Sequence, residues 1–369
     1  MPLAVHKWRK ALPRSMSRLQ ALPARRLFLK AVPLAGLGLY AGTRAAPPSA
    51  SDEQVPIAGD GRSQNHSIIR GGPTRRADYV HKSVNAFTLD GVPASGWHTI
   101  AGLDANHEPP IDLFIDIRPG QPLVILFHGA QRRGVSNPLP IFVDASRFVP
   151  RTASVVCVSD PSLYLNEELQ LAWYAGSERQ RLQQILPQLL TKVRDFARPS
   201  RMLFAGGSGG GFAAAYYSSA FDESAALVWN PQTSILRYSS RHVALYGKVA
   251  FGFKSLSETR RRLEEFIGVD LAPRFSASAG SSLLYLQNRT DWHAEHQLAP
   301  FLKSLTGSDA LHSGRVDQRV RVHLGDWAEG HQPPPAKALR RAIERSLAPE
   351  LPWPGHALDA AAGAIATFD

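Results

Sequence analysis

The chain has 369 residues and a formal net charge of +11. This length is sufficient for one large domain or for two. Nine basic residues lie within residues 1–50, which contain no Asp or Glu, so residues 51–369 carry the remaining +2, eleven minus nine. A nearly neutral body without a basic, aromatic patch predicts no nucleic-acid partner. The single cysteine, Cys157, excludes an internal disulfide.

Residues 1–46 are predicted to be a basic targeting segment. The pair Arg25-Arg26, followed by Phe28-Leu29-Lys30 and a weakly apolar stretch, resembles a twin-arginine export signal, which implies a periplasmic protein and the Tat export machinery as a partner. The apolar stretch is much shorter than the ~20 residues that span a bilayer, so no stable membrane anchor is expected. A mitochondrial presequence, or the tail of a cytoplasmic protein, has the same composition. Residues 47–78, rich in Pro, Gly and Ser, are predicted to be a flexible linker.

Residues 79–350 are predicted to form the folded domain. Short apolar bursts before residue 119 indicate a small antiparallel lead-in, and continuous apolar runs then alternate with helical patterns. Buried strands are expected at 122–127, 153–158, 203–205, 225–229, 282–287 and 320–324, with helices at 181–196, 294–305 and 335–347. This alternation is typical of an α/β fold with a mostly parallel sheet and helices on both faces. Residues 351–369 are set apart as a C-terminal tail.

A glycine-flanked serine follows the apolar run 202–205. The pattern Gly206-x-Ser208-x-Gly210, between a predicted strand and a run of small residues, predicts a nucleophile elbow that exposes the Ser208 hydroxyl. A dinucleotide-binding turn does not fit, because Phe212 stands where its last glycine belongs. A P-loop does not fit either, because no lysine is near. A purely structural glycine hinge stays open as an alternative.

A base and an acid follow in the order that such an elbow requires. Asp291 comes shortly after the predicted strand 282–287, and His331 lies in the loop after strand 320–324. We predict that His331 takes the proton of Ser208 and that Asp291 orients its ring. The alternatives for the acid are two residues close to His331, Asp326 and Glu329.

Metal chemistry is the second alternative at this place. Asp291, His293 and His296 together resemble a metal triad, but the helical two-histidine motif has its histidines four residues apart with a Glu between them. The sequence therefore predicts neither a metal nor a cofactor.

The oxyanion hole and the pocket complete the predicted site. The backbone amide of Gly209 and those of Gly129 and Ala130, in the loop after strand 122–127, are the expected oxyanion donors. Aromatic and amide side chains near the strand ends suit a sugar or another small ester substrate. The predicted pocket residues are His128, Trp229, Asn230, Gln232 and His293. Trp173 and Tyr174 are interpreted as core packing rather than pocket.

Residues 120–347 resemble the α/β-hydrolase superfamily of serine esterases, lipases and acyltransferases. More narrowly, the motifs resemble a bacterial subgroup associated with surface polysaccharide or glycoprotein modification. The motifs are Gly-Gly-Ser208-Gly-Gly-Gly-Phe, Trp229-Asn-Pro-Gln-Thr233, Gln287-Asn-x-x-Asp291-x-His293-x-x-His296 and Gly325-Asp-Trp-x-x-Gly-His331-x-Pro-Pro. The resemblance implies a serine carboxylesterase. It also allows an O-acyltransferase that acts on a surface glycan, or a non-catalytic secretion-accessory protein that keeps the fold.

We expect Arg25→Lys combined with Arg26→Lys to leave the protein in the cytoplasm, because a receptor reads the arginine pair as an address. Cell fractionation of the full-length chain measures this. Arg14→Lys with Arg18→Lys is the matched control, and it should leave export intact. Undiminished export of the first double variant would contradict a twin-arginine signal.

Overall fold

The computed structural model describes residues 68–70, 77–91, 95–102, 108–134, 137–276 and 280–369. The predicted targeting segment 1–46 lies outside the described residues, and so does most of the predicted linker 47–78. All described residues belong to one compact unit, Pro48–Asp369. Among them, no helix has the length and apolar character needed to cross a membrane.

A ten-stranded sheet runs through this unit beside a small two-stranded one. The twelve strands of the described residues are β1 Ile68–Arg70, β2 Tyr79–His81, β3 Ser95–Ile100, β4 Ile111–Asp116, β5 Leu123–Phe127, β6 Ile141–Val143, β7 Ser154–Val158, β8 Met202–Gly207, β9 Ala225–Trp229, β10 Ser282–Asn288, β11 Gly314–Arg315 and β12 Val320–Gly325. The order across the sheet is β11-β12-β10-β9-β8-β5-β7-β4-β3-β2, and β1 pairs with β6 in a separate two-stranded sheet. Strands β12, β10, β9, β8, β5 and β7 are parallel neighbours, while β4 and β11 run antiparallel to them. The carboxyl ends of six strands therefore meet along one edge.

Helices cover both faces of the sheet. They are α1 Leu182–Ala197, α2 Gly209–Ser218, α3 Ser240–Phe251, α4 Leu256–Arg262, α5 Ala272–Ser276, α6 Ala299–Thr306, α7 Ala336–Ser346 and α8 Gly355–Ile365. Alternate residues of the central strands enter opposite cores: Ile125 and Phe127 pack with α1 and α2, whereas Val124 and Leu126 pack with α7 and α8. Burial on both faces explains why these strands are continuous apolar runs. The predicted α/β fold with a mostly parallel sheet is confirmed.

The lead-in to the sheet differs in part from the sequence prediction. The alternating segment at 111–116 is a strand, but the apolar burst at 86–89 has no regular structure, although Phe87 and Leu89 are buried. Strand β3 pairs antiparallel with β4, and β2 pairs parallel with β3 at the sheet edge. Strand β3 contains the polar residues Ser95, His98 and Thr99, so it does not stand out as an apolar run in the sequence.

Residues 351–369, set apart as a tail from the sequence, fold against the sheet instead. Helix α8 buries Leu358, Ala361 and Ile365 in the same core as α7. The C-terminal Asp369 accepts a hydrogen bond from His323 Nε2 at 2.8 Å. Small alanines let α8 pack closely, but they give it little of the hydrophobic contrast that sequence patterns detect.

We expect Leu358→Ala to lower the free energy of unfolding by about 2–5 kcal/mol, because it leaves a cavity beneath α8. Urea unfolding followed by fluorescence measures this. His356→Ala on the same helix removes an exposed side chain and should change stability by less than about 0.5 kcal/mol. Equal stability of both variants would show that 351–369 contributes nothing to the core.

Candidate active site

Ser208 lies in a strained turn between β8 and α2. Its backbone has φ 55° and ψ −125°, a conformation that residues other than glycine rarely adopt. A Cβ on Gly206 would lie 2.4 Å from the carbonyl oxygen of Gly210, and one on Gly210 would lie 2.4 Å from that of Phe127. Both positions therefore require glycine. The turn has the geometry predicted for a nucleophile elbow, and together with the sheet it confirms the α/β-hydrolase fold.

Gly209 and Gly129, two of the predicted oxyanion donors, both lie next to Ser208. Gly209 is the first residue of α2, so its amide has no acceptor within the helix. A Cβ on Gly129 would lie 3.4 Å from Ser208 Cβ and 3.1 Å from the carbonyl oxygen of Gly207. The loop that carries Gly129 and Ala130 therefore passes directly beside the serine. Glycine at 129 allows this close approach.

Asp291 and His331 meet from the loops after β10 and β12. His331 Nδ1 donates to Asp291 Oδ2 at 2.6 Å, and both side chains are buried. The other carboxylate oxygen of Asp291 accepts the backbone N–H of His293 at 3.0 Å. Because Nδ1 of His331 carries a proton in this arrangement, Nε2 is the nitrogen that is left to accept one.

The environment keeps Asp291 charged. Burial acts to raise the pKa of Asp291, but the hydrogen bond from His331 and the nearby ring of His293 outweigh it, so the pKa lies below its ordinary value. A charged carboxylate at this place favours a protonated, and therefore positive, His331 whenever a proton is transferred to that ring.

The hydroxyl of Ser208 forms its hydrogen bond with Gln232 and not with His331, the partner predicted from the sequence. Gln232 Nε2 donates to Ser208 Oγ at 2.9 Å. In the part of the chain that the structure describes, Ser208 Oγ has no direct hydrogen bond to His331. The segment 229–232 links Ser208 to the His331 side of the site. The carbonyl oxygen of Asn230 accepts a hydrogen bond from His293 Nδ1 at 2.9 Å, and the ring centroids of His293 and His331 are 4.4 Å apart.

The alternatives for the acid lie away from this pair. Asp326 is exposed and forms an ion pair with Arg289, with Oδ2 and Nε 3.2 Å apart. Glu329 is exposed as well. His296, considered for a metal triad, is also exposed, and its Nδ1 bonds to the carbonyl oxygen of Trp292. The structure brings Asp291, and neither Asp326 nor Glu329, to His331.

Asp291, His293 and His331 each offer one ligand atom within 4.8 Å of the others. The Nδ1 atoms of both histidines, however, lie 2.6–2.9 Å from oxygen acceptors. A nitrogen that donates such a bond carries a proton, so Nε2 is the nitrogen of each ring that keeps a lone pair.

Two predicted pocket residues, Asn230 and His293, join the loops after three strands. Asn230 Nδ2 donates to the carbonyl oxygen of Gln332 at 2.7 Å, and its Oδ1 accepts the N–H of Asn288 at 2.8 Å. His293 bonds to Asn230 O, as described above. Asn230 is 2% exposed and His293 is 0% exposed. They hold the acid and the histidine loops together rather than line an open pocket.

Two further predicted pocket residues, His128 and Trp229, differ in exposure. His128 is buried, and its ring lies between the carbonyl oxygen of Gly129 (Nδ1, 2.8 Å) and the N–H of Asp160 (Nε2, 3.4 Å). Burial lowers the pKa of His128 to about 4, so the ring is neutral at pH 7. Trp229 is half-buried and packs over Gly207, where a Cβ would overlap its ring. Of these two, Trp229 is the one with surface left for a ligand.

The interpretation of Trp173 and Tyr174 as core packing is incomplete. Trp173 Nε1 donates to Gln232 Oε1 at 2.9 Å, and Tyr174 Oη accepts the N–H of His128 at 2.8 Å. Both residues are buried and have positive φ, 53° and 54°. Two consecutive strained residues therefore support the serine and the neighbouring loop. Two adjacent aromatic residues in a loop were the only sign of this role in the sequence. Residue type did not predict their positive φ, because aromatic residues rarely adopt it.

No family model matches the chain, and no curated protein gives a significant match. Among solved structures, the capsule O-acetyltransferase of Neisseria meningitidis serogroup A is 12% identical, with a TM-score of 0.48 over 65% of this chain and 94% of that chain. A Pyrococcus horikoshii acylaminoacyl peptidase is 15% identical, with a TM-score of 0.40 over 70% of this chain and 41% of that chain. A Glycosylation Associate Protein complex from Streptococcus agalactiae is 14% identical, with a TM-score of 0.43 over 64% and 42%. These values describe remote similarity.

We expect the free energy of unfolding to fall as the pH is lowered from about 6.5 towards 4. Burial lowers the pKa of His128 to about 4, and burial with the neighbouring His331 lowers that of His293 to about 3. The unfolded chain, with His near 6.5, therefore binds protons in this range that the folded chain does not. Asp160, whose pKa burial raises to about 6, acts in the opposite direction but is a single group.

Urea midpoints at pH 7 and pH 5 measure this loss. His128→Asn keeps a donor for the carbonyl oxygen of Gly129 but does not titrate, so the difference between its two midpoints should be smaller. A wild-type midpoint that is the same at both pH values would show that these rings are not buried in their neutral form.

Proposed function

We propose that this chain is a serine hydrolase that forms an acyl-enzyme on Ser208, with His331 as the base and Asp291 as the orienting acid. Two features together carry the proposal. Ser208 lies in a strained elbow after β8, and a buried hydrogen bond of 2.6 Å joins Asp291 and His331 after β10 and β12, at the same edge of the sheet. A structural glycine hinge requires neither the strained serine nor the buried carboxylate–imidazole pair.

The proposed reaction proceeds by two acyl transfers. Ser208 Oγ attacks the ester carbonyl while its proton passes to His331 Nε2, which then protonates the leaving alcohol. The amides of Gly209 and of the Gly129–Ala130 loop stabilise the oxyanion. In the second half, an acceptor loses its proton to His331 and displaces the acyl group, which restores Ser208.

Water as the acceptor makes the protein a carboxylesterase, and this is our first proposal. A sugar hydroxyl as the acceptor makes it an O-acyltransferase for a surface glycan. Half-buried Trp292 supports this second candidate, because it keeps part of its side chain exposed next to the ring of His293, with ring centroids 4.4 Å apart. A tryptophan face suits the apolar face of a sugar.

We expect a fluorophosphonate to label Ser208 and Ser208→Ala to lose both labelling and ester hydrolysis, with kcat reduced at least about 10³-fold. Peptide mapping of the labelled chain and hydrolysis of a short-chain p-nitrophenyl ester are the measurements. Asp291→Asn should reduce kcat about 10³- to 10⁴-fold, because the amide no longer fixes the proton on Nδ1.

Thr290→Ser is the matched control next to the acid, since it keeps the hydroxyl that bonds to the carbonyl oxygen of Ala328. It should retain hydrolysis. Adding a monosaccharide acceptor and measuring free acid against acylated sugar separates the two candidates. Label on another residue would refute the assignment of Ser208 as the nucleophile. Neither labelling nor turnover would favour a non-catalytic accessory protein that keeps the fold.

A further inference from the structure

Gln232 is the side chain that contacts the hydroxyl of Ser208, and it is completely buried. Its Nε2 lies 2.9 Å from Ser208 Oγ, and its Oε1 accepts Trp173 Nε1 at 2.9 Å. Its backbone N–H also donates to the carbonyl oxygen of Ser208 at 3.2 Å. The amide oxygen would lie 3.1 Å from a Cβ on Gly209. Gln232 is therefore fixed against both the serine and the first amide of α2.

The tryptophan determines which way the amide faces. An indole N–H can only donate, so the atom of Gln232 next to Trp173 Nε1 must be the oxygen. The atom next to Ser208 Oγ must then be the NH₂ group, which can only donate. A serine hydroxyl has one proton and two lone pairs. Gln232 therefore uses a lone pair of Ser208 and leaves the proton of the hydroxyl free for His331.

We propose that Gln232 is a catalytic residue that donates a hydrogen bond to Ser208 Oγ as this oxygen loses its proton, and that Trp173 is the positioning residue that holds the amide in that orientation. The inference rests on the proposed acyl-enzyme mechanism. In acylation the Oγ–carbonyl bond forms, the proton of Oγ passes to His331 Nε2, and negative charge grows on Oγ before that bond is complete. A hydrogen bond to a charged oxygen is about twice as strong as one to a neutral oxygen, so Gln232 stabilises the transition state more than the ground state.

The same contact assists the reverse step. When the second tetrahedral intermediate collapses, Ser208 Oγ leaves the acyl carbon and recovers its proton from His331. The Gln232 amide stabilises the leaving oxygen at this moment. Both half-reactions therefore depend on the donor, and its removal should reduce kcat more than it changes KM.

The backbone around Trp173 supports a positioning role. Trp173 and Tyr174 both have positive φ, at 53° and 54°. A Cβ on Gly209 would lie 2.2 Å from Leu171 Cδ1, so the segment 171–174 packs directly on the start of α2. Strain of this kind persists only where surrounding contacts determine it. Here the Trp173–Gln232 bond is one of those contacts.

The test compares Gln232→Met, which keeps the length of the side chain and removes the donor, with the wild-type full chain. We expect kcat for p-nitrophenyl acetate and the rate of fluorophosphonate labelling to fall about 10- to 100-fold, with KM changed less than about threefold. Trp173→Phe removes the indole N–H and one of the two rings but keeps an aromatic side chain, and it should reduce kcat about 3- to 10-fold. The double variant should be no slower than Gln232→Met, because Trp173 acts through Gln232.

Gln183→Met is the matched control, since Gln183 also bridges two groups, the Tyr216 hydroxyl and the Gly268 amide, but contacts no residue of the site. It should keep the wild-type kcat. If the wild type labels at Ser208 and Gln232→Met labels equally fast, the inference is wrong while the proposed function stands. Fully additive losses in the double variant would also overturn it, since they indicate a structural role for Trp173. A wild type that neither labels nor hydrolyses esters would remove the proposed function itself.

Discussion

The close approach of α2 to the ends of β5 and β8 is the constraint on which the site depends. It forces Ser208 into a backbone conformation that costs of order 1–3 kcal/mol. Helix α2 offsets this cost because every residue of Gly209–Ser218 is buried, and burial of Phe212 alone is worth about 1.5–3 kcal/mol. The strain is therefore maintained by the apolar packing of the helix behind the serine. A side chain at Gly206 or Gly210 would clash with the backbone and push α2 away from the ends of β5 and β8.

A second constraint joins the loops at the carboxyl ends of the strands. Asn230, after β9, contacts the end of β10 through Asn288 and the loop after β12 through Gln332. The loops after these two strands carry the acid and the imidazole. Because Asn230 follows the strand that pairs with β8, the distance between the serine and the acid–imidazole pair is set by neighbouring strands and one buried amide. A rigid sheet thus sets the positions of groups that lie on loops.

Electrostatics at the site is simple because the histidines nearest to it are neutral. Burial keeps His128 and His293 uncharged at pH 7, so neither adds positive charge beside the base. In the proposed mechanism, a charged ring at 293 would repel the proton that His331 accepts. The carboxylate of Asp291 is therefore the charge that His331 senses most directly, in a buried setting where such interactions are strong.

The sequence predicted the parts of the fold and site that depend on residue type at fixed spacing. Continuous apolar runs marked the buried strands, and the glycines around Ser208 marked the elbow, because sterics allow nothing else there. Helix α8 was missed since alanine packs well but carries a weak pattern. The role of Gln232 could not be read from the chain, because its meaning comes from Trp173, a residue far away in sequence that is held at positive φ.

In the proposed mechanism, the Gln232 contact also explains how a serine can be buried and held without being inactivated. A group that accepted the Ser208 proton would compete with His331, and a carboxylate or a carbonyl oxygen in the position of Gln232 Nε2 would do so. The amide oxygen of Gln232 faces the indole N–H of Trp173, so the NH₂ group, which can only donate, faces Ser208 and leaves the proton of the hydroxyl free. Two donors in series, Trp173 to Gln232 and Gln232 to Ser208, thus give the hydroxyl a defined position and leave the proposed proton transfer to His331.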